Sequence, residues 1–341
     1  MIKIYLYPVT KRGSSSFVNP YINHLAKALS VHDLVLNKDN PSGRGIFDIL
    51  KYLRIIEVVY LNWPEDLPEK HRGYLQSIFF IILLCYIKIS GKKIVWTLHN
   101  KKSHSKRHNL VKSILFRLLL SHSDLIITHA KEGLSFIPSG SRKAYIPHPV
   151  NTSRYNYAEP DTKKEYDIII WGSINKYKGI DDFLMFLIEN KLIDKYRILI
   201  AGKVTGSELH SKLEKIQFEY NSVTLLNRYI EENELNGLIS RSKLILFCYH
   251  ADSVLSSGAL MDSLQFNSII IGPDVGAFKD LAEEGMIYTY KDFHELIMII
   301  DALLEESHDN TTTYQKIREF IIHNSWNDFS DRMSKLLREM Y

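Results

Sequence analysis

The sequence predicts an α/β protein of two domains, each with a parallel sheet covered by helices. Three observations support this prediction. The chain has 341 residues, which suits two domains of ordinary size. Short runs rich in β-branched residues alternate with longer helical patterns along almost the whole chain. A polar segment at residues 147–165, with prolines and no periodicity, interrupts this alternation and predicts a linker.

The predicted elements follow the same order in both halves. Strands are predicted at residues 2–7, 33–36, 57–61, 93–98, 124–128 and 143–146, with helices at 20–29, 68–89 and 107–120. In the second half, strands are predicted at 166–171, 196–201, 222–226, 243–248, 268–271 and 286–288, and helices begin near residues 178, 207, 231, 258 and 292. Apolar residues at helical spacing after Ser325 predict a closing helix. The predicted domains are residues 1–155 and 156–324, followed by the helix over 325–341.

Composition excludes several classes of protein. The hydrophobic fraction of 45% and charged fraction of 24% are typical of a soluble protein, and a net charge of +4 does not indicate a nucleic-acid binder. The two cysteines, Cys85 and Cys248, lie in apolar runs, so neither a disulfide framework nor a metal motif is expected. The longest apolar run, residues 78–87, is shorter than the roughly 20 residues that span a bilayer and predicts a helix buried against a sheet. With a strand at the very start, these features predict a cytoplasmic protein.

Ligands of open parallel sheets bind outside the carboxyl ends of the strands. The segment WGSINKYKG, residues 171–179, follows a predicted strand and leads into a helix. Gly172 would let the backbone turn close to a ligand, and Lys178 lies near the helix N-terminus, where unpaired N–H groups favour an anion. The spacing therefore indicates a phosphate site. An ordinary turn with a solvated lysine fits the spacing as well.

A second candidate anion site follows the strand predicted at residues 243–248. Ser256, Ser257 and Gly258 offer hydroxyls and unpaired amides at a helix start, which suits a diphosphate. The simpler alternative is a helix cap with nothing bound. Two helix starts suited to anions in the same half of the chain favour the binding hypothesis.

His99 follows the strand predicted at residues 93–98. It could bond a sugar hydroxyl or assist proton transfer, or it could be a neutral histidine satisfied by backbone groups.

Residues 101–120 form a basic amphipathic pattern. This pattern suits either an anionic membrane surface or a helix packed on the sheet with a solvated outer face. The basic residues are Lys102, Lys106, Arg107, Lys112 and Arg117, and the apolar ones are Leu110, Val111, Ile114, Leu115, Leu118 and Leu119.

Taken together, these segments resemble the GT-B glycosyltransferases, specifically glycosyltransferase family 4. In the second half the resemblance lies in WGSINKYKGI, LIAG, SKLILFCY, SSGAL and SIIIGPDVGAFKDL. In the first half it lies in NPYINHLAKAL and VWTLHN, and it ends in SWNDFS. It implies two facing Rossmann-like domains whose C-terminal helix returns to the N-terminal domain. It also implies transfer of a sugar from a nucleotide-diphosphate donor, with retention of anomeric configuration.

The resemblance implies roles for individual residues. Catalytic roles are implied for His99 and Lys178, with His99 contacting the transferred sugar; Asp252 is a further catalytic candidate, as the base of an inverting reaction. The Lys11–Ser15 loop, including Gly13, would close on the donor or acceptor. Donor-binding residues would be Gly13, Gly172, Ser173, Lys178, Lys203, Tyr229, Tyr249, Ser256, Ser257, Gly258, Ala259 and Leu260.

The chain is closest to a subgroup with Ser-Gly at the second helix start that also lacks the usual first glutamate, and it departs from the family pattern at two places. Ser173 stands where an arginine is usual, and the paired glutamates are missing, with Met261 at the second position. This absence motivates a competing hypothesis, a catalytically silent homologue that serves as a binding or scaffold subunit. Two further enzyme hypotheses are an inverting transferase with Asp or His as base and a sugar-nucleotide epimerase.

No Asp-x-Asp motif or metal-ligand cluster occurs in the sequence, so a metal-independent reaction without a cofactor is expected. The co-substrate would be a UDP- or GDP-linked sugar. The acceptor would be a glycan or lipid-linked oligosaccharide of surface polysaccharide synthesis. That places the protein in the cytoplasm or peripherally on the inner face of the plasma membrane, through residues 101–120.

Overall fold

The structure, a computed structural model, describes residues 1–9, 20–40, 43–101, 107–151, 163–252, 254–305 and 310–341. The chain forms two compact units. The first unit combines Met1–Pro149 with Asn324–Tyr341, and the second is Val150–His323. Each unit contains one six-stranded sheet in which all strand pairs are parallel. The predicted fold class, two Rossmann-like α/β domains, is confirmed.

The first unit has the strand order β2-β1-β3-β4-β5-β6. Its strands are β1 (Lys3–Tyr7), β2 (Leu34–Val35), β3 (Val58–Asn62), β4 (Lys93–Leu98), β5 (Leu125–Thr128) and β6 (Lys143–Tyr145). Its helices are α1 (Pro20–His32), α2 (Gly73–Ile89), α3 (Asn109–His122) and, from the end of the chain, α11 (Trp326–Arg338). Strand β3 is buried along its whole length, as expected for a parallel sheet with helices on both faces.

The C-terminal helix packs on α1. Helix α11 begins at a capping box formed by Ser325 and Asp328. Its buried side chains Phe329, Met333 and Leu337 belong to the same core cluster as those of α1. The Ser330 hydroxyl donates a hydrogen bond of 2.6 Å to the carbonyl of Ala28. The predicted return of this helix to the N-terminal unit is therefore confirmed.

The second unit has the strand order β12-β11-β10-β7-β8-β9. Its strands are β7 (Tyr166–Trp171), β8 (Ile198–Ala201), β9 (Val223–Leu226), β10 (Ser242–Leu246), β11 (Ile269–Pro273) and β12 (Tyr288–Tyr290). Its helices are α4 (Ile180–Glu189), α5 (Ser207–Glu219), α6 (Glu232–Ser240), α7 (Gly258–Ser263), α8 (Gly276–Glu283), α9 (Phe293–Glu305) and α10 (Thr311–His323).

The strand order fixes where each sheet can bind a ligand. In the second unit the chain moves from β7 outward to β8 and β9, then returns to the other side of β7 as β10. The loops after β7 and β10 therefore diverge and leave a crevice at their carboxyl ends. In the first unit the same reversal lies between β1 and β3. Ligand chemistry is expected at these two places.

Some sequence predictions were wrong in detail. Helices α8 and α10 were not predicted, and the last strand covers Tyr288–Tyr290 rather than 286–288. Helix α2 was expected to be buried, but it packs inward with one face only. Cys85 accordingly is exposed, whereas Cys248 is buried as its apolar run suggests. Periodicity is uninformative for a helix that is apolar all round, because every orientation then satisfies the pattern.

Candidate functional site

In the second unit, close backbone approach brings the ends of β7 and β8 together. Gly172 follows β7 with φ of 97°, a conformation that favours glycine. Gly202 follows β8, and a Cβ at Gly202 would lie 1.8 Å from the Gly172 carbonyl oxygen. The Gly172 amide also donates to the Ala201 carbonyl at 3.0 Å. The packing of the two strand ends therefore requires glycine at position 202, whereas at Gly172, the glycine predicted to allow a close turn, the positive φ favours glycine.

Lys178 is buried, with 4% of its surface exposed, in a short turn before α4. Its ammonium nitrogen lies 5.2 Å from the centre of the Tyr249 ring. A Cβ at Gly172 would lie 3.2 Å from this nitrogen and 3.8 Å from the Ala259 methyl group. We call Gly172, Lys178, Tyr249, Ser257 and Ala259 the Lys178 cluster. The structure thus brings together five residues that the sequence placed in one donor site.

The Lys178 ammonium has no counter-ion among the residues that the structure describes. Within the described residues it has neither a hydrogen-bond partner nor a carboxylate within 4.0 Å. Burial lowers the pKa of Lys178 from 10.5 to about 8. By contrast, the nearby Lys176 is exposed and pairs with the Asp181 carboxylate. A buried and unpaired cation at the β7 end is the arrangement that an anionic ligand would complete.

The segment after β10 completes this cluster. Ser257 caps α7, and its hydroxyl lies 3.1 Å from the Tyr249 hydroxyl and accepts from the Leu260 amide. The Ser256 hydroxyl is buried without a hydrogen-bond partner among the described residues. Gly258 is exposed and Leu260 is buried in the core. The Leu260 amide is therefore already engaged by the cap, whereas Ser256 retains hydrogen-bonding capacity.

One pair that the sequence did not single out holds the two loops together. His250 Nε2 donates to the Asp182 carboxylate in the first turn of α4 at 2.8 Å. The His250 amide donates to the Tyr177 carbonyl at 3.1 Å. Both bonds connect the segment after β10 with the segment before α4, and thereby position the Lys178 cluster.

The other predicted donor residues lie on the surface of this unit. Ser173, Lys203 and Tyr229 are exposed, and Asp252 is exposed without a hydrogen bond or ion pair within the described part of the chain. Gly13 and the rest of the loop over residues 11–15 lie outside the described residues. The roles of all these residues remain predictions.

In the first unit, side chains that follow four strands form a second group. Trp63, His99 and His129 are the first residues after β3, β4 and β5, and His148 follows β6. Tyr21 of α1 contacts all four rings, with centroid separations of 4.9–5.8 Å. We call these five residues the histidine cluster. Only His99 was predicted as a site residue, although an aromatic ring directly after β3, β4 and β5 was a signal available in the sequence.

Hydrogen bonds fix the tautomer of His99. The Asn62 side-chain amide donates to the Tyr7 carbonyl at 3.2 Å, so its oxygen faces His99 Nε2 at 3.0 Å and accepts the ring proton. His99 Nδ1 therefore has the lone pair, and within the described residues no group donates to it. The Trp63 ring stacks on His99 with 4.0 Å between centroids. Trp63 itself has a left-handed backbone, with φ of 49°, which is strained for a large side chain.

The histidine cluster is neutral. Burial is the main cause that lowers the pKa of His99 well below 6.5, and neighbouring histidines add to it. The pKa of His129 falls to about 3 and that of His148 to about 4, again mainly through burial. His129 is also fully bonded, since Nδ1 donates to the Ile146 carbonyl and Nε2 accepts from the Tyr21 hydroxyl, both at 2.8 Å. His99 is thus a weak base. Its Nε2–H is bonded to Asn62, and the lone pair at Nδ1 can accept a hydrogen bond.

Helix α3 differs from the basic amphipathic helix that the sequence predicted. Lys112 is buried and pairs with Glu69 and Asp66, so it does not belong to a solvated outer face. Leu110 and Ile114 were assigned to the packed face but are exposed. The helix begins at Asn109, and Lys102 and Lys106 lie outside the described residues. Pairing with carboxylates from the segment before α2 retains Lys112 inside, which spacing alone does not reveal.

Comparisons with known proteins agree with this fold. No family model matches the chain. A GDP-mannose:glycolipid 4-beta-D-mannosyltransferase from Xanthomonas campestris pv. campestris is 23% identical over 286 residues, covering 80% of this chain and 76% of the relative. Sucrose-phosphate synthase from Thermosynechococcus elongatus superimposes with a TM-score of 0.72 at 13% identity, covering 100% of this chain and 99% of the other. HepE from Anabaena, in complex with UDP, superimposes with a TM-score of 0.70 at 14% identity, covering 99% and 100%.

The fold and the similar proteins point to one class of protein. The two units have the Rossmann-like architecture of GT-B proteins, and the sequence relative and structural neighbours are glycosyltransferases. The predicted GT-B fold is confirmed, and the similarity to these glycosyltransferases favours the predicted class of enzyme. The described residues contain no group of three His, Cys, Asp or Glu side chains that could hold a metal ion. Metal independence stays a prediction.

The pKa of Lys178 leads to a testable pH dependence. Below about pH 8 the ammonium is charged in the free protein, so donor affinity should be nearly constant. A bound diphosphate raises this pKa, so above pH 8 binding requires uptake of a proton and affinity should fall by up to tenfold per pH unit. Calorimetric titration with a nucleoside diphosphate between pH 6.5 and 9.5 measures this. In Lys178→Met the affinity should be weaker without this decline, and a decline of equal slope in both proteins would contradict the assignment.

Proposed function

We propose that the chain transfers a sugar from a nucleoside-diphosphate sugar to a hydroxyl group of a glycan or lipid-linked glycan in surface polysaccharide synthesis. The observation that supports this best is the buried Lys178 ammonium, which has no counter-ion within the described part of the chain and lies at the strand reversal of the second sheet. A diphosphate would supply the missing negative charge. It would also give the unpartnered Ser256 hydroxyl an acceptor.

The Lys178 cluster suits the negative charge that develops on the leaving group of this reaction. As the bond from the sugar C1 to the phosphate oxygen breaks, negative charge grows on the leaving diphosphate. Lys178 would stabilise that charge from a site that excludes most water, where a fixed cation is worth more than in solution. Ser256 and Ser257 would add hydroxyl contacts. No step of this account requires a metal ion.

The state of His99 supports retention over inversion. An inverting enzyme needs a base to take the proton of the acceptor hydroxyl, and burial makes His99 a weak one. In a retaining reaction the acceptor oxygen bonds to C1 on the face that the phosphate leaves, and its proton passes to a phosphate oxygen. His99 Nδ1 would then accept a hydrogen bond from a hydroxyl of the transferred sugar. The anomeric configuration of the product, measured by NMR, tests this, and an inverted product would favour Asp252 or another base.

A panel of nucleotides tests which nucleoside diphosphate the donor carries. The Xanthomonas relative is named for GDP-mannose and the Anabaena neighbour is in complex with UDP. We therefore expect UDP or GDP to stabilise the protein more than TDP or ADP. At a ligand concentration of 100 Kd, binding adds about 2.7 kcal/mol to the unfolding free energy, which raises Tm by about 5–10 °C. Thermal-shift measurements with each nucleotide and with its sugar, in the presence and absence of EDTA, would show the preferred base.

The missing glutamates support one competing proposal, a catalytically silent homologue that binds partners. The same panel separates the two. A chain that no nucleotide stabilises, and that Lys178→Met leaves unaffected in every binding measurement, would be a scaffold subunit. A selective shift with one nucleotide and turnover with its sugar would exclude that role.

A further inference from the structure

One face of α2 is apolar and exposed. This helix of 17 residues would extend about 25 Å, contains no acidic residue, and packs inward through Phe80, Leu83, Leu84 and Ile87. The exposed side chains recur every three or four residues along the opposite face. Ile78 is 59% exposed and Ile82 is 63% exposed. We call the exposed set on α2 and α3 the apolar ridge: Leu75, Ile78, Ile82, Tyr86, Ile89, Leu110 and Ile114.

Helix α3 extends this surface. It packs beside α2, and a 2.6 Å hydrogen bond between the Tyr74 hydroxyl and His108 Nδ1 joins the beginnings of the two helices. Leu110 and Ile114 lie one turn apart on α3, and Arg117 follows Ile114 by three residues on the same face. Large exposed apolar surfaces of this kind mark contacts with a protein or a membrane.

The charges around the apolar ridge favour a membrane over a protein as its partner. Residues 70–123 contain no Asp or Glu. The same segment contains eleven basic residues: Lys70, Arg72, Lys88, Lys92, Lys93, Lys101, Lys102, Lys106, Arg107, Lys112 and Arg117. Among those described, Lys112 is buried and pairs with Glu69, and Lys88 pairs with Asp124, whereas Lys70, Arg72 and Arg117 are exposed. Apolar side chains bordered by basic ones, without acidic ones, complement an anionic lipid surface.

We propose that the apolar ridge inserts into the surface of an anionic membrane, with α2 lying in the plane of the interface. No described helix is long and apolar enough to cross a bilayer. The contact would therefore be peripheral. This assigns most of the insertion to α2, with Leu110 and Ile114 of α3 beside it, whereas the sequence pattern had indicated residues 101–120 alone. It rests on the proposed function in one respect, that a lipid-linked acceptor would lie in the same surface.

Vesicle flotation tests the proposal with the full chain. Wild type should float with phosphatidylcholine vesicles that contain 20–30% phosphatidylglycerol, and less with phosphatidylcholine alone or at high salt. The Ile78→Glu/Ile82→Glu variant should bind at least about tenfold more weakly, because each side chain loses its apolar burial in the lipid. Arg72→Gln/Arg117→Gln should weaken binding and reduce its salt dependence.

The matched control is Phe218→Glu, which removes a 90% exposed aromatic residue from α5 of the other unit and should float like wild type.

Several outcomes would overturn the proposal. These are wild type that does not float, Ile78→Glu/Ile82→Glu that floats like wild type, or equal loss in Phe218→Glu. A wild type that sediments as a dimer, and becomes a monomer in the ridge variant without vesicle binding, would assign the surface to a second copy of the chain. Ile78→Ser/Ile82→Ser, a milder change, guards against misfolding. Nucleotide-induced thermal shifts should persist in all of these variants, so failure of the membrane proposal remains distinct from failure of the proposed function.

Discussion

Replacing Lys178 by methionine should reduce kcat about 100- to 1000-fold and weaken nucleoside-diphosphate binding about 10- to 100-fold. These are the magnitudes for loss of one fixed transition-state donor and of one hydrogen bond to a charged group. Methionine retains most of the buried stem of Lys178, so packing against Gly172 and Tyr249 should survive and the effect should be electrostatic. Initial rates and calorimetric titration with the preferred nucleotide measure both quantities.

Lys176→Ala is the matched control for this substitution. Lys176 lies two residues earlier, is exposed, and already pairs with Asp181, which Lys212 also contacts at 2.9 Å. Its removal should change kcat and affinity less than about threefold, because Lys212 still pairs with the buried Asp181 carboxylate and Lys176 does not belong to the Lys178 cluster. If both lysine variants behaved alike, or if Lys178→Met retained full affinity, the Lys178 cluster would not be the diphosphate site.

Removal of the His99 imidazole should lower kcat/KM about 10- to 100-fold. His99→Ala eliminates an acceptor whose lone pair at Nδ1 is held in place by the Nε2–H bond to Asn62. Loss of one such hydrogen bond to a reacting sugar costs roughly 1–3 kcal/mol. Nucleoside-diphosphate affinity should change little, because the imidazole is assigned to the sugar rather than to the phosphates.

Asn62 acts through His99 as a positioning residue, and a charge change separates this role from a structural one. In Asn62→Asp a carboxylate beside the ring would favour the imidazolium and raise the His99 pKa. Protonation then removes the Nδ1 lone pair, so activity should decline as pH falls from 8 to 6, whereas wild type should not change through a His99 titration there. His210→Ala, which removes a surface histidine of α5, should keep the wild-type rate and pH profile. A wild-type profile in Asn62→Asp would contradict the proposed tautomer.

Much of the fold and the Lys178 cluster could be predicted because the signals are local. Strands such as β7 and β4 begin and end where their β-branched runs do. The glycine and lysine of the β7 loop are six residues apart, so one short segment brings both to the same strand end. The SSGAL segment is likewise one loop and one helix start. Ligands of open parallel sheets bind outside the carboxyl ends of the strands. Because both segments follow strands, both could be assigned to a binding site.

The histidine cluster depended on tertiary structure. Tyr21 and His129 are 108 residues apart, and Asn62 and His99 are 37 apart, yet both pairs share hydrogen bonds. Only the strand order places the ends of β3, β4 and β5 side by side, and only burial there makes the histidines neutral.

The sequence by itself determined the two α/β units and the loops suited to phosphate, because periodicity and turn chemistry act over a few residues, and its resemblance to a known family indicated the class of enzyme. Tertiary structure decided which side of each element faces the core. It buried Lys112, exposed Ile78 and Ile82, and left Lys178 without a counter-ion among the described residues. The physical reason is that burial and charge pairing depend on neighbours from distant parts of the chain, whereas the spacing of residues along one helix is the same whichever side turns inward.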